Sequence, residues 1–243
     1  MSGESEEREA APEPRSGAEL DVKSAAAFEE KESLLPSSPP SAHYWLIGAG
    51  VELALVPLAA LFGWLAGVLP WSRLHITPAA FAWGVAATLP LLVLLAALMR
   101  IRISALEETL RFIREAVLEL TGPRPAQFKL AALALAAGVG EEFLFRGFLQ
   151  DWLAAKSTFP LALLGASFAF GLLHPFAWWY VLLAGAIGAY LGALYQFTGS
   201  LLPPILAHFL YDWVALHAIL RTEPRPPVGG EAANHEATAP VEL

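Results

Sequence analysis

Long apolar stretches almost free of charge constrain this chain more than anything else in it. Several run about 18 residues or more, enough to cross the hydrocarbon core of a bilayer. They leave room for few charges: Asp, Glu, Lys and Arg make up 16% of the 243 residues, and hydrophobic residues 56%. An ordinary soluble domain carries roughly 25% charged residues. The segments do not alternate apolar and polar residues over ~10-residue strands as a membrane barrel would. The fold class this predicts is all-α, a polytopic transmembrane bundle.

The pattern predicts six spanning helices, at about 44–69, 79–99, 126–149, 158–174, 177–198 and 201–220. Between the second and third lies Ser104 to Thr121, which is different in kind. Leu106, Leu110, Ile113, Val117 and Leu120 form one apolar stripe, and Glu107, Glu108, Arg111, Arg114, Glu115 and Glu119 fill the rest. Such a helix lies in the membrane interface. Ser104 with Glu107 reads as a capping box, and Gly122-Pro123 as a stop.

Residues 1–42 are polar and rich in Pro, Ser, Glu and Ala, with no apolar core near Met1, so neither a cleavable signal peptide nor an ordered domain is expected there. The tail 221–243, with Pro224, Pro226, Pro227, Gly229 and Gly230, reads the same way. The domain organisation is therefore a disordered tail, a bundle over 43–220 and a second disordered tail. Much of the formal net charge of −8 sits in the N-terminal tail, so nucleic acid is not an implied partner. The chain has no cysteine, which removes disulfides, thiolate metal sites and cysteine nucleophiles from consideration.

Basic residues set the expected orientation. Arg100, Arg102, Arg111, Arg114, Arg124 and Lys129 cluster around the amphipathic segment, whereas the loop near 70–78 holds only Arg73. The positive-inside rule puts the first group in the cytoplasm, and with it both termini of an integral protein of the cell (inner) membrane. Ala132, Ala136 and Gly140, and likewise Ala184, Gly188 and Gly192, recur every four residues. Small residues so spaced let helices approach closely in lipid.

Ionisable groups at membrane depth cost at least ~2.5–3.5 kcal/mol each on insertion scales, so each needs a reason. The last four expected helices hold Glu141, Glu142, Arg146, His174, His208 and Asp212. Glu142 and Arg146 share a helix face and can pair, as can His208 and Asp212. Glu141 lies about 100° round the helix from Glu142 and points elsewhere. It is thus a carboxylate without a fixed partner, the kind of group that can serve as a general base. With two histidines and a second acid it can hold a water and polarise a carbonyl, the equipment for amide hydrolysis. Two ordinary uses compete with this reading: ion pairs that fix helices together, and a proton or ion pathway. Zinc could be held by Glu, His, His and Asp, although the HExxH signature is absent. Glu52 in the first helix is a weaker candidate, and Trp178, Trp179 and Tyr180 read as an interfacial aromatic belt. With these boundaries His174 falls about ten ångströms along the membrane normal from Glu141 and His208.

Gly140-Glu141-Glu142-Phe143-Leu144-Phe145-Arg146-Gly147 resembles the EExxxR motif of the CPBP family, also called Abi, which holds the CAAX proteases and bacteriocin-processing enzymes. Phe170-Gly171-Leu172-Leu173-His174 resembles its FxxxH motif, and His208-Phe209-Leu210-Tyr211-Asp212 its last motif, a histidine followed four residues later by Asn or Asp. The resemblance covers about 125–220 and implies an intramembrane endopeptidase acting on a membrane-associated substrate, either a prenylated CAAX-type protein or a membrane-anchored peptide or bacteriocin leader. It implies that Glu141 activates water, that His174 helps to orient or deprotonate it, and that His208 with residue 212 stabilises the oxyanion. Glu142 and Arg146 would hold the site together. The eukaryotic CAAX enzyme has asparagine where this chain has Asp212, and a carboxylate is a poor oxyanion donor, so Asp212 would instead orient His208 or bind metal. The resemblance leaves metal open, since members are often labelled metalloproteases. A non-catalytic scaffold or bacteriocin-immunity protein of the same family is the alternative. A transporter would be marked by two similar halves, and no convincing repeat is present.

Overall fold

The computed structural model describes residues 43–101 and 103–221, and over these every regular element is a helix. Both expected disordered tails, apart from Arg221, lie outside the described residues, as does Arg102 of the basic cluster. The helices are α1 (Tyr44–Leu53), α2 (Leu55–Ala66), α3 (Pro78–Leu98), α4 (Ser104–Thr121) and α5 (Gln127–Glu142). A π-helical stretch (Phe143–Gln150) and the short α6 (Asp151–Ala154) continue α5 without a break, and α7 (Phe159–Leu172), α8 (Trp178–Thr198) and α9 (Leu202–Arg221) follow. Each expected span has its helix. The first is interrupted at Ala54, three residues before Pro57, whose ring nitrogen cannot donate into the helical ladder.

Three of these helices, Tyr44–Ala66, Pro78–Leu98 and Trp178–Thr198, are long and apolar enough to cross a membrane by length and composition. Phe159–Leu172 is apolar but shorter. The α5 and α9 helices carry the charged and histidine side chains that lower their hydropathy. The protein is an integral membrane helical bundle, and its packing is that of such a bundle. Trp64, Ile76, Trp178 and Phe197 are more than two-thirds exposed, while the interior is rich in alanine: Ala59, Ala134, Ala136, Ala162, Ala166 and Ala207 are all nearly inaccessible. Large apolar side chains outside and small ones between helices suit a lipid solvent, where close backbone approach replaces the hydrophobic effect as the source of adhesion.

The two expected small-residue stripes lie at such contacts. A methyl group at Gly140 would run into the backbone carbonyl of Glu52, so this glycine lets α5 touch the α1–α2 junction. Gly188 and Gly192 on α8 leave room for the side chains of Arg146 and Gln150, which donate to their carbonyls at 2.8 and 3.1 Å.

Outside the membrane-facing core, Arg73 closes one end of the bundle. Its guanidinium lies 3.3 Å from Asp151 and over the Tyr195 ring, and the Tyr195 hydroxyl donates to Asp151 at 2.7 Å. At α4 the expected capping box does not form. Ile103 occupies the N-cap, its carbonyl accepts from Leu106 and Glu107, and no side chain caps the helix. Ser104 sits one position too far inside to reach the free amides. The stop at Gly122 is as expected, with φ at +90°, a value that favours glycine.

Candidate active site

Glu142 and Arg146, one turn apart, are the most deeply buried charges in the described residues, with side chains 0% and 1% exposed. Their ion pair measures 2.7 Å, and the second guanidinium nitrogen donates to Gly188. The guanidinium also lies 4.6 Å from the centre of the Phe170 ring. Burial at this cost is tolerable only when geometry and secondary hydrogen bonds are good; the short ion pair and the bond to Gly188 meet this for Arg146, whereas Glu142 Oε2 is buried without a hydrogen-bond partner. The ladder changes to π-type at Phe143, immediately after the two glutamates. π-Helical turns are rare and frequent at functional sites. The sequence carries no signal for it that we could identify.

His208, on α9, joins this pair to the rest. Its Nδ1 is 3.0 Å from Glu142 Oε1, the oxygen that also accepts from Arg146. Its Nε2 faces the other way, 3.4 Å from Asp212 Oδ2 and 3.9 Å from Glu141 Oε2. Each imidazole nitrogen thus faces a carboxyl oxygen. A neutral ring can donate from only one of them, so the cluster must hold an additional proton, on His208 or on a carboxyl facing it. Glu141 points away from Glu142, as the helical offset predicts, and its Oε2 is buried without a hydrogen-bond partner.

His174 lies just beyond α7, which ends at Leu172, two residues earlier than the sequence suggests. The turn before Pro175 folds the histidine back, with Nδ1 2.9 Å from the carbonyl of Phe170. A nitrogen facing a carbonyl must donate, so neutral His174 presents Nε2 as an acceptor. The Phe170 ring lies between the two histidines, 4.8 Å from His174 and 5.9 Å from His208. Glu141, His174, His208 and Asp212 line one cavity of about 340 Å³.

Two features of the cavity were weighed lightly or differently from sequence. Glu52 lines it as well, although it lies on α1, outside the three motifs. Of the expected aromatic belt only Trp178 is strongly exposed, at 78%, whereas Trp179 and Tyr180 line the cavity. The reading of all three as an interfacial belt is corrected: α8 starts at Trp178, so the next two residues turn towards His174 and α4. The apolar stripe of α4, with Leu106, Leu110, Ile113 and Leu120, forms another wall. His75 interacts through its backbone with Ser200, and His217 ties α9 to Gln127, so neither joins the cluster.

Among the described residues no three His, Asp or Glu side chains are arranged to hold a metal ion. His208 Nδ1 is engaged by Glu142 and His174 Nδ1 by Phe170, which leaves the Nε2 atom of each ring uncommitted by those contacts.

Residues 124–214 match a family model described as type II CAAX prenyl endopeptidase Rce1-like, the family that the three motifs resemble. The uncharacterized protein YpbD of Bacillus subtilis (strain 168) is 36% identical over 85 residues, 34% of this chain. That alignment spans 41% of the length of YpbD. No solved structure matches the chain.

Proposed function

We propose that this chain, whose residues 124–214 match a family of CAAX prenyl endopeptidases, hydrolyses a peptide bond of a membrane-anchored substrate by means of a glutamate-activated water. The observation that carries the reading is the placement of Glu141. It is an unpartnered carboxylate on a cavity wall, 3.9 Å from an imidazole that is itself anchored to a buried ion pair. A structural ion pair needs no such free acid. A scaffold needs no cavity around it.

The chemistry follows from the positions of the groups. A water between Glu141 and His174 gives its proton to Glu141 as its oxygen bonds to the scissile carbonyl carbon. The carbonyl π electrons move to oxygen, making the tetrahedral oxyanion, and protonated His208 donates to it through Nε2. The oxyanion then re-forms the carbonyl, the C–N bond breaks, and Glu141 returns the proton to the leaving amine. One water is consumed and an acid and an amine are released, with Glu141 restored. Glu142 and Arg146 hold His208 in place and do not touch the substrate. General acid–base help of this kind supplies typically a hundredfold to ten-thousandfold, and a fixed oxyanion donor adds a comparable factor.

The walls argue for the substrate class. The α4 stripe, the end of α3 and the last turns of α9 make most of the cavity apolar, and Glu141, His208 and Asp212 lie together on its wall. The lipid-linked end of a prenylated CAAX-type peptide suits the apolar part, with its scissile bond at the cluster. In this reading all six helical segments cross the bilayer, α4 lies at the cytoplasmic interface and both termini are cytoplasmic.

The test is cleavage of quenched fluorescent peptides, prenylated and not, by wild type and Glu141→Ala purified in detergent. Cleavage by wild type alone, better with the prenylated peptides, supports the proposal. Equal behaviour of the two proteins on every peptide favours the scaffold or immunity protein.

A further inference from the structure

Gln150 is 2% exposed and belongs to none of the three motifs, and a polar side chain so deep in the bundle needs a partner. Its amide nitrogen donates to the carbonyl of Gly192 at 3.1 Å. Four residues earlier, Arg146 donates to the carbonyl of Gly188 at 2.8 Å. Both contacts span 42 residues of sequence. Side chains four apart on the π-helical stretch therefore meet carbonyls four apart on α8, and the two bonds form parallel rungs. The surface of α8 is shaped to the second rung: a methyl group at Gly192 would stand 2.5 Å from Gln150 Oε1.

The rungs hold a stretch that is unusual in itself. A π-helical turn closes i→i+5 bonds and so takes in one residue more than an α-helical turn. Relaxation to α geometry gives that residue up and turns the two ends of the helix relative to one another by about 100°. Gln150 is the last residue of the stretch, and Glu142 immediately precedes its first. Relaxation would thus take either Gln150 off Gly192 or Glu142 off His208, whose Nδ1 is 3.0 Å from Glu142 Oε1. The side of the stretch away from α8 has little room to absorb such a turn, since a methyl group at Gly147 would stand 2.5 Å from the carbonyl oxygen of Pro70. Asp151, the next residue, is also tied to α8 through Tyr195, but it has Arg73 as a second partner. Gln150 has no such reserve, because its Oε1 is buried without a hydrogen-bond partner.

We infer that Gln150 is a positioning residue: by pinning the end of the π-helical stretch to Gly192, its amide sets the register in which Glu142 holds His208. Its effect on cleavage rests on the endopeptidase reading above. Gln150 touches no substrate and moves no proton. It acts through the helix that carries Arg146 and Glu142, and through Glu142 on the imidazole.

The experiment compares wild type, Gln150→Met and Tyr195→Phe, purified in detergent, on one prenylated quenched peptide. Methionine keeps the length of the side chain and removes its donor. Tyr195→Phe removes a tie from α8 to the next residue of the same continuous helix, and so controls for a purely structural role. The His208 Nδ1 signal, read by nitrogen NMR on histidine-labelled protein and assigned by its loss in His208→Gln, reports the contact with Glu142. The expected result for Gln150→Met is a fall in kcat of roughly tenfold to a hundredfold, the scale of a misplacement of about 1 Å, with KM within about twofold and a shifted His208 signal. Tyr195→Phe keeps kcat and the signal near wild type. Gln150→Asn, whose amide is one methylene short of Gly192, gives the same two changes and carries the test where the methionine variant does not fold. A folded Gln150 variant within about threefold of wild type in kcat overturns the inference, as does a loss of kcat with the His208 signal unmoved. An equal loss of kcat in Tyr195→Phe overturns it too. Absence of cleavage by wild type overturns the endopeptidase reading, while the His208 signal still decides the role of Gln150, so the two failures are distinguishable.

Discussion

His208 Nδ1 and Arg146 Nη1 converge on the same oxygen of Glu142, at 3.0 and 2.7 Å. One carboxylate therefore does two things: it neutralises a fully buried guanidinium and it fixes the orientation of the imidazole. The second use separates stability from activity in a way that single and double substitutions can expose.

Glu142→Leu leaves Arg146 charged and unpaired in the interior, and breaking a buried pair from one side costs about 3–5 kcal/mol. The combined Glu142→Leu, Arg146→Met variant removes both charges at similar volume and is expected to regain most of that stability. It remains inactive, because His208 has lost the acceptor for Nδ1. Thermal unfolding in detergent and peptide cleavage, measured on the same preparations, check both halves.

Gly140 adjoins Glu141 and has no room for a methyl group, since the carbonyl of Glu52 occupies that space. Gly140→Ala must push α5 away from α1, and overpacking of this kind costs typically 1–3 kcal/mol. Because Glu141 moves with the backbone, cleavage falls as well. Gly50, also on α1, has nothing within 4 Å of its added carbon. Gly50→Ala is expected to be neutral or slightly stabilising through helix propensity, by up to about 1 kcal/mol. Parallel unfolding curves of the two variants test the contrast.

Tyr195 supports the opposite end of the bundle through its hydroxyl on Asp151. Tyr195→Phe removes one hydrogen bond to a charged group and is expected to cost about 1.5–3 kcal/mol. Its kcat stays near that of wild type, since none of these groups lines the catalytic cavity. Equal losses in stability and kcat would show that the two ends are coupled.

The proposed mechanism needs no metal. Incubation with a strong chelator, followed by desalting, is expected to leave cleavage unchanged, and added zinc is expected not to raise it. Loss on chelation with recovery on zinc addition would reassign Glu141 and the histidines as ligands.

Much of this was legible in the sequence because lipid imposes simple rules. Each apolar run from Tyr44 to Arg221 became a helix near its expected limits, since in a membrane the backbone has almost no alternative. The Glu142–Arg146 pair, the divergence of Glu141 and the His208–Asp212 approach all follow from helical spacing alone. Other features depend on packing between segments distant in sequence. Glu52 reaches the cavity because Gly140 lets α1 lie against α5. Tyr180 lines the cavity because of how α8 packs beside His174, although the start of α8 at Trp178 is within one residue of its expected place. The π-helical stretch after Glu142 has no sequence signature, and α7 ends two residues before where hydropathy put it.

The central claim is that Glu141 activates water at this site. Its most direct test is Glu141→Gln, a change that keeps shape and removes the base, with wild type and variant reconstituted side by side in lipid vesicles and assayed on a prenylated peptide. The account predicts that the variant folds with an undiminished unfolding temperature, because its Oε2 has no hydrogen bond to lose. It also predicts that cleavage drops by at least a hundredfold. A stable Glu141→Gln protein that cleaves at the wild-type rate would contradict it.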